Sequence, residues 1–256
     1  MTTTSRQGRR MTAAFLIAGA TTLNLAFLGL GAVFDYPAVL DHPAAQVLEA
    51  FRENQSAVVG WFLVLALGAA LLAPIAVLVG RLGSSRALRL SVWVGAAAAT
   101  VQVIGLLRWP LLVPALARQA ADSATATAAE ETFRTLNHIL GTTIGETLGY
   151  TLTALWTVLV TAGLSNSCSG RAFAGRWFTI AGYAAAALIA TGVLVPLNVP
   201  GADLANFAGY AVWSLWLVGA AVVLLRGLRS PAPLVAEPST DPSTPPVNAP
   251  AARISG

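Results

Sequence analysis

Six stretches of this chain are almost continuously apolar, at 11–34, 55–80, 90–116, 138–164, 177–198 and 205–226, and the polar positions gather between them. A helix rising 1.5 Å per residue needs about 20 such residues to cross the hydrocarbon core of a bilayer. Unpaired strand edges cannot be satisfied in lipid, so each stretch must be helical. The pattern therefore predicts an all-α integral membrane bundle of six transmembrane helices. The short turn "VPGAD" (199–203) joins the last two spans into a tight hairpin.

Shorter periodicities fill two of the connections. In "HPAAQVLEAFREN" (42–54), Ala44, Val47, Leu48 and Phe51 recur at the spacing of one helical face. This predicts a short amphipathic helix lying at the membrane interface. The stretch "ATAAEETFRTL" (126–136) is expected to extend the fourth span outward as a helix. Three regions result: a basic N-terminus (1–10), a six-helix domain (11–226) and a tail (227–256) that holds 7 of the 14 prolines and reads as disordered.

Composition removes the alternative of a soluble protein. Charged residues are only 10% and apolar residues 56%, with a mean hydropathy of +0.70. A soluble domain carries about 25% charged residues. All 15 basic residues are arginine, which together with abundant Ala and Gly suggests a bacterial coding sequence. The arginines form no basic stripe with interleaved aromatics, so no nucleic-acid partner is expected. Of the 15, 11 fall on one side of the predicted topology and 3 on the other, with Arg108 inside a span. The positive-inside rule then places both termini in the cytoplasm and the chain in the plasma (inner) membrane. The apolar run of the first span exceeds that of a signal peptide, so an uncleaved anchor is expected. The single cysteine, Cys168, reads as a small thiol in a loop.

Two ionisable residues lie inside spans, where such groups are rare and costly: Arg108 and Glu146. Counted along antiparallel helices, each lies roughly 10 Å below the same surface. A direct pairing between them is expected. His138, Thr142, Glu146 and Tyr150 follow one another at intervals of four and make a polar stripe. Gly141, Gly145 and Gly149 form an adjoining ridge of the kind that lets helices approach closely. Trp109, Pro110 and Pro114 follow Arg108, and the prolines suggest a kinked end opening a vestibule. Asn198, Asp203, Asn206 and Tyr210 are expected at the same level on the last hairpin. Asn24 and Gln102, near mid-membrane, read as interhelical hydrogen-bond partners. His42 reads as solvated in a loop. "GYTLTALW" (149–156) and "GYAVWSLW" (209–216) form a weak parallel repeat that aligns Glu146 with Asn206 and His138 with Asn198.

The segments "GLLRWPLLVP" (105–114), "FRTLNHILGTTIGETLGYTLTALWT" (133–157) and "FAGYAVWSLWLVGAAVVLL" (207–225) resemble the bacterial six-span membrane proteins grouped as domain of unknown function 4386. The resemblance rests on Arg108, Trp109, Pro110, His138, Gly145, Glu146, Gly149, Tyr150 and Trp156. It implies a six-span fold over roughly residues 11–228 and no particular activity.

Three functions are compatible with this pattern. One is a protein whose outer-leaflet polar cavity binds a small amphipathic or lipidic ligand, through Trp109, Thr142, Tyr150, Asn198, Asp203, Asn206 and Tyr210 together with the charged pair. Another is an intramembrane acid/base enzyme, for example terpene-cyclase-like or an isomerase, with Glu146, Arg108 and His138 as candidate catalytic groups. The third, a small transporter, lacks a second deep carboxylate. No HExxH, Walker, dinucleotide or GxSxG motif is present, and neither metal nor cofactor is expected. The expected partners are the bilayer and a small lipophilic ligand.

Overall fold

A computed structural model describes residues 6–165 and 175–226. Cys168, the first five residues and the Pro-rich tail lie outside them. The described residues are helical and contain no strand. Six helical stretches are long and apolar enough to cross a membrane: Arg6–Phe34, Gln55–Gly80, Arg86–Gln119, Ala126–Ser165, Arg176–Leu197 and Ala202–Arg226. They match the hydropathy pattern closely, and the fourth carries the outward extension expected of residues 126–136.

The spans are built from shorter helices wherever proline or a change of winding intervenes. The first is α1 (Arg6–Phe34), followed by α2 (Ala44–Glu53) in the connection. The second divides at Leu71 into α3 (Gln55–Ala70) and α4 (Leu72–Gly80). Pro74, one turn into α4, has no N–H to offer the Ala70 carbonyl. The third divides at Leu112 into α5 (Arg86–Leu111), which contains Pro110, and α6 (Val113–Gln119), which starts with Pro114 near its N-terminus. Ser85 caps α5, its hydroxyl accepting from the Leu88 N–H at 3.2 Å. The fourth span runs from α7 (Ala126–Leu136) through a π-helical segment (Asn137–Leu148) into α8 (Gly149–Ser165). The fifth is α9 (Arg176–Ala190), tightening into a 3₁₀ turn (Thr191–Leu197) that contains Pro196. Asn198, in the left-handed region at φ 55°, and Gly201 at φ 78° make the turn into α10 (Ala202–Arg226).

Two apolar cores stack along the bundle. One, toward the arginine-rich connections, joins α1, α4, α5, α8, α9 and α10 around Trp156, Trp213 and Trp216. The other, at the opposite, loop-rich end, joins α1, α2, α3, α5, α6 and α7 around Trp109. Residues Ala44, Val47, Leu48 and Phe51 of α2 are buried in this second core. The apolar face of α2, expected to lie on the membrane interface, is instead covered by protein.

Polar residues occupy the layer between the two cores. Asn24 of α1 donates to Ser214 of α10 at 2.9 Å, and Gln102 of α5 donates to Thr153 of α8 at 3.0 Å. Both interhelical bonds match the roles expected of these residues. Within the first core, Trp213 Nε1 donates to Thr157 at 2.9 Å. The two repeat segments also meet: Tyr150 packs edge-on against Tyr210 at 5.8 Å between ring centroids, and Trp156 against Trp216 at 6.4 Å.

Candidate functional site

The site is assembled on the glycine ridge of the fourth span. A Cβ on Gly149 would lie 2.9 Å from Gln102 Cγ, and one on Gly145 3.2 Å from the Gly105 Cα. A Cβ on Gly141 would lie 2.7 Å from Arg108 Nη2. The three glycines thus receive Gln102, Gly105 and Arg108 in turn, and a side chain at any of them would crowd that contact.

The register of this contact shows what the π-helix does. From Gly163 opposite Leu88 to Gly149 opposite Gln102, both helices advance by the same number of residues. From Gly149 opposite Gln102 to Gly141 opposite Arg108, the fourth span uses eight residues and α5 only six. Six residues of α-helix rise about 9 Å, so the π segment rises about 1.1 Å per residue. Its side-chain hydrogen bonds follow the wider turn. Thr143 and Thr147 donate to the carbonyls five residues back, His138 and Thr142, whereas Thr151 and Thr157 in α8 reach back only four. Glu146 consequently lies shallower than an α-helical count gives.

Arg108 is 5% exposed, with its Cζ over the Trp109 ring at 5.4 Å from the centroid. Its Nη1 donates to the Gly105 carbonyl at 2.6 Å and its Nη2 to Asn137 Oδ1 at 3.0 Å, while Nε has no partner. The expected direct pair with Glu146 is not formed: among the described residues the one ion pair within 4.0 Å is Arg134 with Glu130. The two groups still share a layer. Glu146 lies within electrostatic range of Arg108, Tyr36, Tyr150 and Tyr210. The Glu146 side chain is half-buried and has no hydrogen bond among the described residues.

Tyr36 lies in the turn after α1, where Asp35 adopts φ 50°. Its ring packs edge-on against Phe62 at 5.3 Å. Burial, reinforced by the Glu146 carboxylate and opposed by Arg108, pushes its hydroxyl up to about 12.

The remaining predicted residues divide into three groups. His138 and Thr142 line an open cleft of about 190 Å³, together with Leu40, His42, Ala44, Val47, Phe133, Arg134 and Asn137. Trp109 is fully buried, stacked on Phe62 at 4.7 Å and 7° and flanked by Phe34, Phe51 and Phe133. It fills the region beyond Pro110 where a vestibule was expected and has no surface to present to a ligand. On the last hairpin, Asn206 is buried and donates to the Ile189 carbonyl at 2.7 Å, while Asn198 and Asp203 are exposed around the turn. Tyr36 and Asn137 were not singled out from the sequence. Asn137 directly precedes His138, and Tyr36 stands in "FDYP" (34–37), but nothing local assigns either to Arg108 or Glu146.

These features define a multi-pass helical membrane protein with a polar cluster held between two apolar cores. The family described as Domain of unknown function (DUF4386) matches residues 12–220, and the chain belongs to that family. No curated protein and no solved structure matches it significantly.

Proposed function

We propose that this protein binds a small amphipathic or lipidic ligand at the loop-rich end of the bundle, without transforming it. The observation carrying this reading is the open cleft at 40–47 and 133–142, whose wall includes Thr142, one turn along the polar stripe from Glu146. The cleft joins apolar side chains (Leu40, Val47, Phe133) to polar ones (Asn137, His138), as a ligand with one apolar and one polar part requires. The arginine distribution supports an orientation with the loop-rich end outside the cytoplasm and the chain in the cell membrane.

The test is photo-crosslinking of the full chain in its membrane with a diazirine-bearing amphiphile, followed by mapping of the labelled peptides. Label should concentrate on 40–47 and 133–142 and fall sharply in Thr142→Trp, which fills the cleft. Label spread evenly over the lipid-facing helices, unchanged by Thr142→Trp, would overturn the reading.

A second reading, an intramembrane acid/base enzyme, draws on the Glu146 carboxyl standing among Tyr36, Tyr150 and Tyr210 without a hydrogen-bond partner. Glu146→Gln separates the two. Binding that persists in Glu146→Gln while product formation disappears supports the enzyme. Unaltered ligand recovered from both forms supports binding alone.

A further inference from the structure

The cleft has a chemical polarity of its own. Its wall carries Arg134, His42, His138 and Asn137 and no carboxylate. Two acids flank it in the chain: Asp41, between the lining residues Leu40 and His42, and Glu130, which holds Arg134 Nη2 at 3.2 Å.

Asn137 links this wall to the buried Arg108. A guanidinium offers only donors, so the Asn137 oxygen must face it, as observed at 3.0 Å. The amide NH₂ is left over, has no partner among the described residues, and belongs to a side chain that lines the cleft. Arg108 has no contact ion pair to neutralise it. Its charge therefore polarises the Asn137 amide, which presents donors to the cleft.

The cleft is also small. Pockets that enclose a drug-sized ligand run to roughly 300–1,000 Å³, and this one is smaller. It accommodates a head group, with any chain left outside against exposed apolar residues such as Ile139.

We infer that the cleft is a site for an anionic head group, a phosphate or carboxylate carried on an apolar chain, and that Asn137 backed by Arg108 supplies a donor to it. This rests on the binding reading above and specifies the ligand's charge.

The test uses the full-length protein in phosphatidylcholine nanodiscs and compares dodecyl phosphate, dodecanoate, dodecanol and inorganic phosphate. At least one anionic amphiphile should bind tenfold or more tightly than dodecanol; which one does so separates phosphate from carboxylate. Asn137→Asp is the decisive variant. Its carboxylate can pair with Arg108 and keep the fold, checked by an unchanged melting temperature, but it removes the donor and the net positive charge. Anion affinity should fall at least tenfold in Asn137→Asp while dodecanol binding stays the same. Arg134→Gln/His138→Gln, at exposed positions, should lower anion affinity in the same direction.

Equal binding of dodecanol and the anions, both lost in Thr142→Trp, would overturn the anionic inference and leave the binding reading intact. Anion affinity unchanged in a folded Asn137→Asp would overturn the role of Asn137. Inorganic phosphate binding as tightly as dodecyl phosphate would keep the anion site and remove the amphiphile. Absence of binding by all four compounds would overturn the binding reading itself.

Discussion

Arg108 Nη2 donates to Asn137 Oδ1 at 3.0 Å, and the buried cation is held by an amide and a backbone carbonyl instead of by the carboxylate in its own layer. A hydrogen bond to a charged group contributes about 1.5–3 kcal/mol, and loss of the acceptor leaves that charge poorly satisfied. Double-mutant cycles read this directly. Arg108→Met with Asn137→Leu should show the larger coupling, in that range. Arg108→Met with Glu146→Gln should show less, since no contact pair joins those residues. Unfolding in detergent measures both, and the opposite order would show that Arg108 and Glu146 pair directly.

The Gly105 contact is backbone against backbone. A Cβ there would stand 2.6 Å from the Gly145 Cα and 2.7 Å from the Leu140 carbonyl oxygen, neither of which can rotate away. Gly105→Ala should therefore destabilise the protein by about 1–3 kcal/mol, the usual range for overpacking, or more. Gly60→Ala, with nothing within 4 Å, should be neutral or slightly stabilising. Melting temperatures of the two variants test the contrast.

Trp109 is the keystone of the core at the loop-rich end. It touches Phe34, Phe51, Phe62 and Phe133, drawn from α1, α2, α3 and α7. Trp109→Ala should cost about 3–5 kcal/mol. Trp109→Phe should cost less, because the buried indole N–H makes no hydrogen bond whose loss would be felt. Limited proteolysis should find the connection 35–54 opened first in the alanine variant.

Alkaline pH should weaken the fold at Tyr36. Its hydroxyl titrates at about 12 in the folded protein against an ordinary value of 10.0. A raised value stabilises the fold fully below pH of about 10, and that contribution is lost as pH rises through about 12. Tyr36→Phe should show a smaller loss of stability across this window. Tyrosinate absorbance against pH should lose a component near pH 12 in the same variant.

Much of this architecture was written in local patterns. The second span was placed at its observed bounds because hydropathy depends only on which residues are consecutive. The glycine ridge was legible because Gly141, Gly145 and Gly149 form a local spacing, but which helix packs into it was decided by the contacts with Gln102, Gly105 and Arg108. The apolar stripe of α2 was legible as well, but its burial was not. A stripe looks the same whether lipid or protein covers it, and only the arrangement of α6, α7 and Trp109 decided between them.

The layer shared by Arg108 and Glu146 could be counted from the sequence, while their separation could not. Depth follows from residue number along a helix, but direct contact requires the rotation of two helices about their axes. That rotation is set here by the π segment, which changes the register against α5 just where the charged residues fall. Tyr36 and Asn137 came to light only in three dimensions for the same reason. The sequence alone determined six apolar helices, their order and the polar residues they carry, because burial in lipid selects side chains one segment at a time. The tertiary structure alone decided which polar groups meet, because close packing fixes each helix's rotation and register through contacts between residues far apart in the chain.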